Sequence, residues 1–311
     1  MEITASMVKE LREMTGAGVM ACKKALVETD GDYDKAIEYL REKGEATAVK
    51  KAGRIAAEGI VMVATESDSK AAIVEVNSET DFVAKNEKFR AFVTDVAAQV
   101  LTTSAATVDE FAEEAWIKDS SKKVKEELVS QIATIGENMS IRRFAKVETD
   151  GIVVPYIHGG GRIGVLVEAS ADVVNDDVKE ALKNVAMQVA ALNPKYTSRA
   201  EVSEEFIAHE KEILLAQIKN DPKESQKPEK VIEGMINGRI NKEMKEICLL
   251  DQVYVKAEDG KQSVAQYLEQ VSKEVGGTVN VKRFIRFETG EGLEKKEENF
   301  AEEVAKQMGG N

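Results

Sequence analysis

The fold turns on the stretch from Gly59 to Phe82, GIVMVATESDSKAAIVEVNSETDF, set beside a second from Gly151 to Asp172, GIVVPYIHGGGRIGVLVEASAD. Both open on Gly-Ile-Val, run through a strand, a turn and a second strand, and end in V-E-[VA]-[NS]; each is a β-hairpin pattern. Each hairpin leads into an amphipathic helix, NEKFRAFVTDVAAQV from Asn86 and DDVKEALKNVAMQVAAL from Asp176. Phe89, Val93, Val96 and Val100 in the first match Leu182, Val185 and Val189 in the second at core-facing spacing, and both helices carry A-x-Q-V near their ends. Each copy closes on a further strand, SIRRFAKVET from Ser140 and NVKRFIRFET from Asn280, with Phe144 opposite Phe284. Self-similarity of this kind marks a duplicated unit. We expect an α+β protein with two similar core subdomains, 59–150 and 151–292, each a small antiparallel sheet with helices on one face.

The copies differ by an insertion at about 200–250. There SEEFIAHEKEILLAQIKN and PEKVIEGMINGRINKEMKEICLL are helical and the breaker DPKESQKP separates them. Ile207, Leu214 and Ile218 on one arm and Ile236, Ile240, Met244 and Ile247 on the other form narrow stripes, as in an αα-hairpin wound into an antiparallel coiled coil. Residues 1–44 read as a three-helix module. Thr4 or Ser6 is available to cap the first helix, Gly31 stops the second, and the third starts on Asp32 and ends at Gly44. The Ala-rich EATAVKKAGRIAAEG then reads as a helical linker over 45–58, and LEKKEENFAEEVAKQM as a last helix within 293–311.

Composition narrows the function. A net charge of −13 repels phosphate backbones, so the expected partner is a protein and not a nucleic acid. No apolar run is long enough for a membrane span, and MEITASMVKELRE has neither signal-peptide nor transit character, which points to the cytoplasm. Cys22 and Cys248, far apart and in helical patterns, read as packed residues, not as metal or redox groups. HGGGRIG, 158–164, contains G-x-G-x-x-G, but Arg162 begins a strand where a dinucleotide site needs a helix; the glycines read as a hairpin turn. No G-x-S-x-G, P-loop or H-E-x-x-H is present, and with 2 histidines, His209 among them on a polar helix face, acid–base chemistry has few players. The chain is expected to be no enzyme and to need no cofactor.

The segment that the first copy has and the second lacks is SETDFVAKNEKF, 78–89, against SADVVNDDVKE. It puts Phe82 between Asp81 and Lys85 in a short polar loop before a helix. From pattern alone two readings stand: a hydrophobic staple on its own helix, or an exposed aromatic wedge able to fill a partner's pocket.

Two long stretches carry a family resemblance, LREMTGAGVMACKKAL (11–26) and EVNSETDFVAKNEKF (75–89), supported by KKAGRIAAEG, HGGGRIGVLVEA and FIRFETGEGLEK. The chain resembles bacterial elongation factor Ts over nearly its whole length. The resemblance implies an exchange factor that binds elongation factor Tu, GDP-bound and nucleotide-free, and promotes GDP release by disturbing its magnesium and phosphate site. Thr80, Asp81, Phe82 and Val83 would be the working loop, which favours the wedge over the staple. A UBA-like N-terminal module would dock on the partner's GTPase domain through the matching stretch, here Leu11, Arg12, Thr15, Gly16, Gly18, Met20, Lys23 and Lys24. One-to-one and two-to-two complexes both stay open. Readings from other classes are a ubiquitin-associated-like adaptor without exchange activity, and a small-molecule enzyme built around HGGGRIG.

Overall fold

A computed structural model describes residues 3–15 and 17–295. The chain opens with three helices, α1 (Ala5–Thr15), α2 (Val19–Glu28) and α3 (Tyr33–Lys51). Thr4 caps the first, its hydroxyl accepting from the Met7 N–H, and Asp32 caps the third through the Lys35 N–H. Gly31, at φ 84°, closes α2 by donating its N–H to the Leu26 carbonyl. Val8, Leu11, Cys22, Ala25, Leu26 and Ala36 form the small core between the three helices.

Gly44 does not end α3, contrary to the sequence expectation. The helix continues seven residues further, through half of the stretch read as a linker, to Lys51. Gly44 is buried where α3 lies against a later helix, α7, introduced below; a Cβ there would sit 3.5 Å from Val129 and 3.7 Å from Ala133. It is a close-approach glycine, and tertiary packing outweighs its low helix propensity.

The first repeat follows: β1 (Glu58–Ser67), β2 (Lys70–Ser78), α4 (Asp81–Lys85), α5 (Glu87–Val100), α6 (Val108–Ala112), β3 (Ala115–Trp116), β4 (Asp119–Lys123), α7 (Val124–Ile135) and β5 (Met139–Glu148). The second comprises β6 (Ile152–His158), β7 (Ile163–Ala171), α8 (Asp176–Leu192), α9 (Glu204–Asn220), α10 (Glu229–Ile247), α11 (Val264–Val275) and β8 (Val279–Glu288). Each repeat makes a three-stranded antiparallel sheet, ordered β1-β2-β5 and β6-β7-β8, while β3 and β4 form a separate two-stranded ribbon. The central strands are covered on both faces. On β2, Ala72, Val74 and Val76 face α5, and Ala71 and Ile73 face the other sheet; on β7, Val165 and Val167 face α8 and Leu166 faces inward. The body is therefore helix, sheet, sheet, helix, with Val61, Val153 and Phe287 among the residues between the sheets.

The duplication reaches individual atoms. The Val61 N–H donates to Gly161 O in the second hairpin's turn, and the Val153 N–H to Asp68 O in the first, both at 2.7 Å. Each hairpin tip thus docks on the opposite repeat's first strand. This gives HGGGRIG its reason. Gly161, at φ 112°, lies so close to Ile60 and the Val61 carbonyl that a Cβ would be 3.0 and 3.1 Å from them, and any side chain at Gly164 would collide with Val61. A β-bulge falls between Glu75 and Val76 in one copy and between Glu168 and Ala169 in the other.

Two further correspondences were not read from the sequence. The buried glutamine of each A-x-Q-V grips a passing backbone like a neighbouring strand. Gln99 donates to Ala115 O (3.0 Å) and accepts from the Ile117 N–H (2.9 Å); Gln188 donates to Val253 O (3.0 Å) and accepts from the Val255 N–H (2.8 Å). Between those contacts Trp116 and Tyr254 are both buried. Next, α7 and α11 occupy the same place in their repeats and end on left-handed glycines, Gly136 and Gly276. The αα-hairpin expected at 200–250 is present as α9 and α10, packed on each other with Ile207, Leu214, Ile236, Ile240, Met244 and Ile247 in the seam. Of the expected last helix, 293–295 are not helical and 296–311 lie outside the described residues.

Candidate protein-contact site

Between β2 and α5 the chain makes one extra helical turn, α4, where the sequence reading expected a loop. Thr80 caps it, accepting from the Val83 N–H at 3.4 Å, and Asn86 ends it and caps α5 by accepting from the Lys88 and Phe89 N–H groups. Val83 and Ala84 point down into the first repeat's core, which forces Asp81, Phe82 and Lys85 outward. Phe82 is 79% exposed, so the staple reading fails: a staple would bury this ring. Lys85 donates to Asp81 at 2.6 Å and sits 6.0 Å from the Phe82 ring centroid. That hydrogen bond holds the Asp81 carboxyl below the usual carboxylate range. The ring thus stands exposed beside a charge pair on a turn capped at both ends, a composition found at interface hot spots.

The set expected on the N-terminal helices divides. Arg12, Gly18, Met20, Lys23 and Lys24 are exposed; Met20 is 75% exposed and shares the outer face of α2 with Lys23, Lys24 and the exposed Val27. Leu11 is wholly buried and belongs to the bundle core, so it supports that surface without being part of it. Thr15 is half-buried, donating to Leu11 O at 2.7 Å and accepting from the Ala17 N–H, which shapes the end of α1. Gly16 lies outside the described residues.

Cys22 and Cys248 are free and buried, and His209 is exposed. Among the described residues no group of three or more His, Cys, Asp or Glu side chains is placed to hold a metal ion, and no helix is long and apolar enough to cross a membrane. One charged residue that sequence reading passed over is Glu75, whose side chain is fully buried. It accepts from Arg142 (3.0 Å), Arg143 (2.5 Å), Asn77 (3.1 Å) and the Gly290 N–H (2.8 Å), which pins the end of the second repeat to the first. Its only local signal is its place in V-E-[VA]-[NS], shared with Glu168; its burial depends on contacts 67 and 215 residues away.

The family model described as Elongation factor TS matches residues 79–291. Curated relatives named Elongation factor Ts match nearly end to end. That of Clostridium botulinum (strain Eklund 17B / Type B) is 53% identical over 309 residues, 99% of each chain. That of Clostridium perfringens (strain ATCC 13124) is 54% identical over 310 residues, again 99% of each chain. That of Clostridioides difficile (strain 630) is 52% identical over 307 residues, 98% of this chain and 99% of the relative. These matches place the chain among translation elongation factors. Within that class, the chain belongs to the elongation factor Ts family.

Proposed function

We propose that this protein is a guanine-nucleotide exchange factor, binding elongation factor Tu and promoting GDP release without covalent chemistry of its own. The observation that carries the reading is the exposure of Phe82 on a fixed turn, within one of the two long stretches that carry the family resemblance. Exchange demands differential affinity: the factor favours the nucleotide-free partner, and bound nucleotide correspondingly weakens the factor. Thr80, Asp81, Phe82 and Val83 act on the partner's magnesium site. Phe82 enters between partner elements, Asp81 and Lys85 orient at its base, Thr80 and Val83 hold the turn. Displacing Mg²⁺ removes a large local charge from the phosphates and loosens them.

Arg12, Met20, Lys23 and Lys24 form the docking face of a UBA-like module, the apolar side chain supplying area and the bases steering an acidic partner surface. The α9–α10 pair acts as a coiled-coil arm adding contact area. The factor works in the cytoplasm and touches no nucleic acid directly, consistent with its net charge of −13. The test is release of a fluorescent GDP analogue from elongation factor Tu with and without the protein. Strong acceleration, lost in Phe82→Ala while binding and fold persist, supports the reading; no acceleration with folded protein and a matched partner rejects it.

A further inference from the structure

The wedge turn does not stand on its caps alone. At the end of α7 the corner Gly136-Glu137-Asn138 touches both the turn and the helix that leads to the N-terminal bundle. Glu137 grips Thr80 with both carboxylate oxygens: Oε1 accepts from the Thr80 hydroxyl at 2.7 Å and Oε2 from the Thr80 N–H at 3.0 Å. Thr80 is the cap of α4, and its carbonyl accepts from the Ser78 hydroxyl and the Ala84 N–H. The adjacent Asn138 donates its N–H to Glu79 (2.6 Å) and its side-chain amide to Arg54 O (2.8 Å), and Lys51 donates to Gly136 O. Three consecutive residues thus fix the wedge turn and the end of α3 to one point.

The second repeat supplies the control. There α11 ends on Gly276 as α7 ends on Gly136, and β8 begins at Val279 as β5 begins at Met139. The position matching Glu137 is Gly277, and the segment matching the wedge turn is only 172–174, held by an Asp172–Thr278 backbone and carboxylate contact. The corner of the repeat without a wedge carries no carboxylate of its own: Asp172 accepts from the Thr278 N–H as Glu79 accepts from the Asn138 N–H, but nothing takes the place of Glu137. A fold-wide structural need would call for the group in both copies; it occurs where the turn has to be held.

We propose that Glu137 is a positioning residue for nucleotide exchange, holding the Thr80–Phe82 turn at a set place relative to the docking helices so that Phe82 arrives ordered at the partner's nucleotide site. The inference rests on the exchange-factor reading given above. A bidentate, charge-assisted grip removes freedom from the turn before the partner binds, and preorganisation of that kind acts on the step that the wedge performs more than on docking.

The experiment compares the full-length protein with Glu137→Ala, Glu137→Gln and Phe82→Ala, reading amide hydrogen exchange over 79–85 and release of a fluorescent GDP analogue from elongation factor Tu across factor concentrations. In Glu137→Ala, exchange of those amides should quicken about tenfold and the maximal release rate fall about tenfold. The half-saturating concentration should move less than about twofold, because the face on α2 is untouched. Glu137→Gln, which can still accept from the N–H and meet the hydroxyl, should recover most of both. If Glu137→Ala does not fold, Glu137→Asp, whose shorter side chain loosens the two-point grip while leaving the Thr80 cap intact, gives the same readouts at smaller size. Unchanged amide exchange overturns the positioning role whatever the release rate does. Faster amide exchange with normal release, while Phe82→Ala is impaired, overturns the link to function. Faster amide exchange with normal release in Phe82→Ala as well overturns the exchange-factor wedge itself, and this inference with it.

Discussion

In the first repeat the chain passes from β2 to α5 through a capped helical turn that lifts Phe82 into solvent; in the second it crosses from β7 to α8 over 172–174, where Val174 is 49% exposed. Nearly everything around that passage is shared: the bulges, the crossed hairpin tips, the glutamine grips and the glycine-ended helices. The difference teaches where a duplicated frame can be altered without harm. A junction whose two ends are both anchored, by a buried strand and by an N-cap, accepts extra residues at little cost to the layers beneath. The buried frame supplies the rigidity that the proposed wedge requires.

The same comparison has an asymmetry in charge, and it gives the largest expected effect. Glu75 is fully buried and serves two arginines, an asparagine and a backbone N–H, whereas Glu168, its counterpart, is buried too but pairs at 2.6 Å with one arginine, Arg283, whose side chain is half exposed. Glu75→Ala should cost about 3 kcal/mol, since it strands a buried network. Glu168→Ala should cost about 1 kcal/mol, because solvent screens its half-exposed partner. Denaturant unfolding measures both, and equal losses would show that Glu75 does not tie the repeats together.

Next in size is the wedge. Phe82→Ala should lower the maximal rate of GDP release about 30-fold, or about 2 kcal/mol, as for an interface hot spot. Val174→Ala should leave it within about twofold. Comparable losses from the two would mean that both junctions face the partner, and the functional difference between the repeats would disappear.

The glutamine grips should be alike. Gln99→Ala and Gln188→Ala each leave a backbone donor and acceptor without partners and should each cost about 1.5 kcal/mol by the same unfolding measurement. They also mark what the sequence could and could not disclose. The hairpins, α5, α8 and the closing strands were legible because apolar alternation and helical spacing depend only on local pattern. The grips were half legible: A-x-Q-V was seen twice, but Ile117 lies 18 residues beyond Gln99 and Val255 lies 67 beyond Gln188, since α9 and α10 intervene. That spacing hid the match between Trp116 and Tyr254 and between α7 and α11. Gly44 was misread because a stop and a close approach use the same residue, and only the position of α7 separates them. The wedge segment was legible as the place where the copies differ; its helical geometry and its Glu137 tether depend on a contact 57 residues away.

The smallest effect concerns Asp81, and it separates fold from function. Its carboxyl is held below the ordinary range, first by the Lys85 hydrogen bond, so the folded state binds its proton less readily than the unfolded chain. Any stability from the pair is therefore complete above the unfolded carboxylate range, near pH 4, and is lost only as pH falls through the lower folded value. Between about pH 6 and 8 the pair adds no pH dependence to unfolding. Because both side chains are largely in water, Asp81→Asn should shift the melting temperature by less than about 1 °C, and less again in high salt. The second repeat has no equivalent pair across 172–174, yet α8 is capped there by Asn175 just as α5 is by Asn86. The frame does not need the charge. A loss of stimulated GDP release in Asp81→Asn well beyond its effect on melting would then place the worth of Asp81 in the partner's site, whereas parallel small changes in both would reduce it to a brace for Lys85.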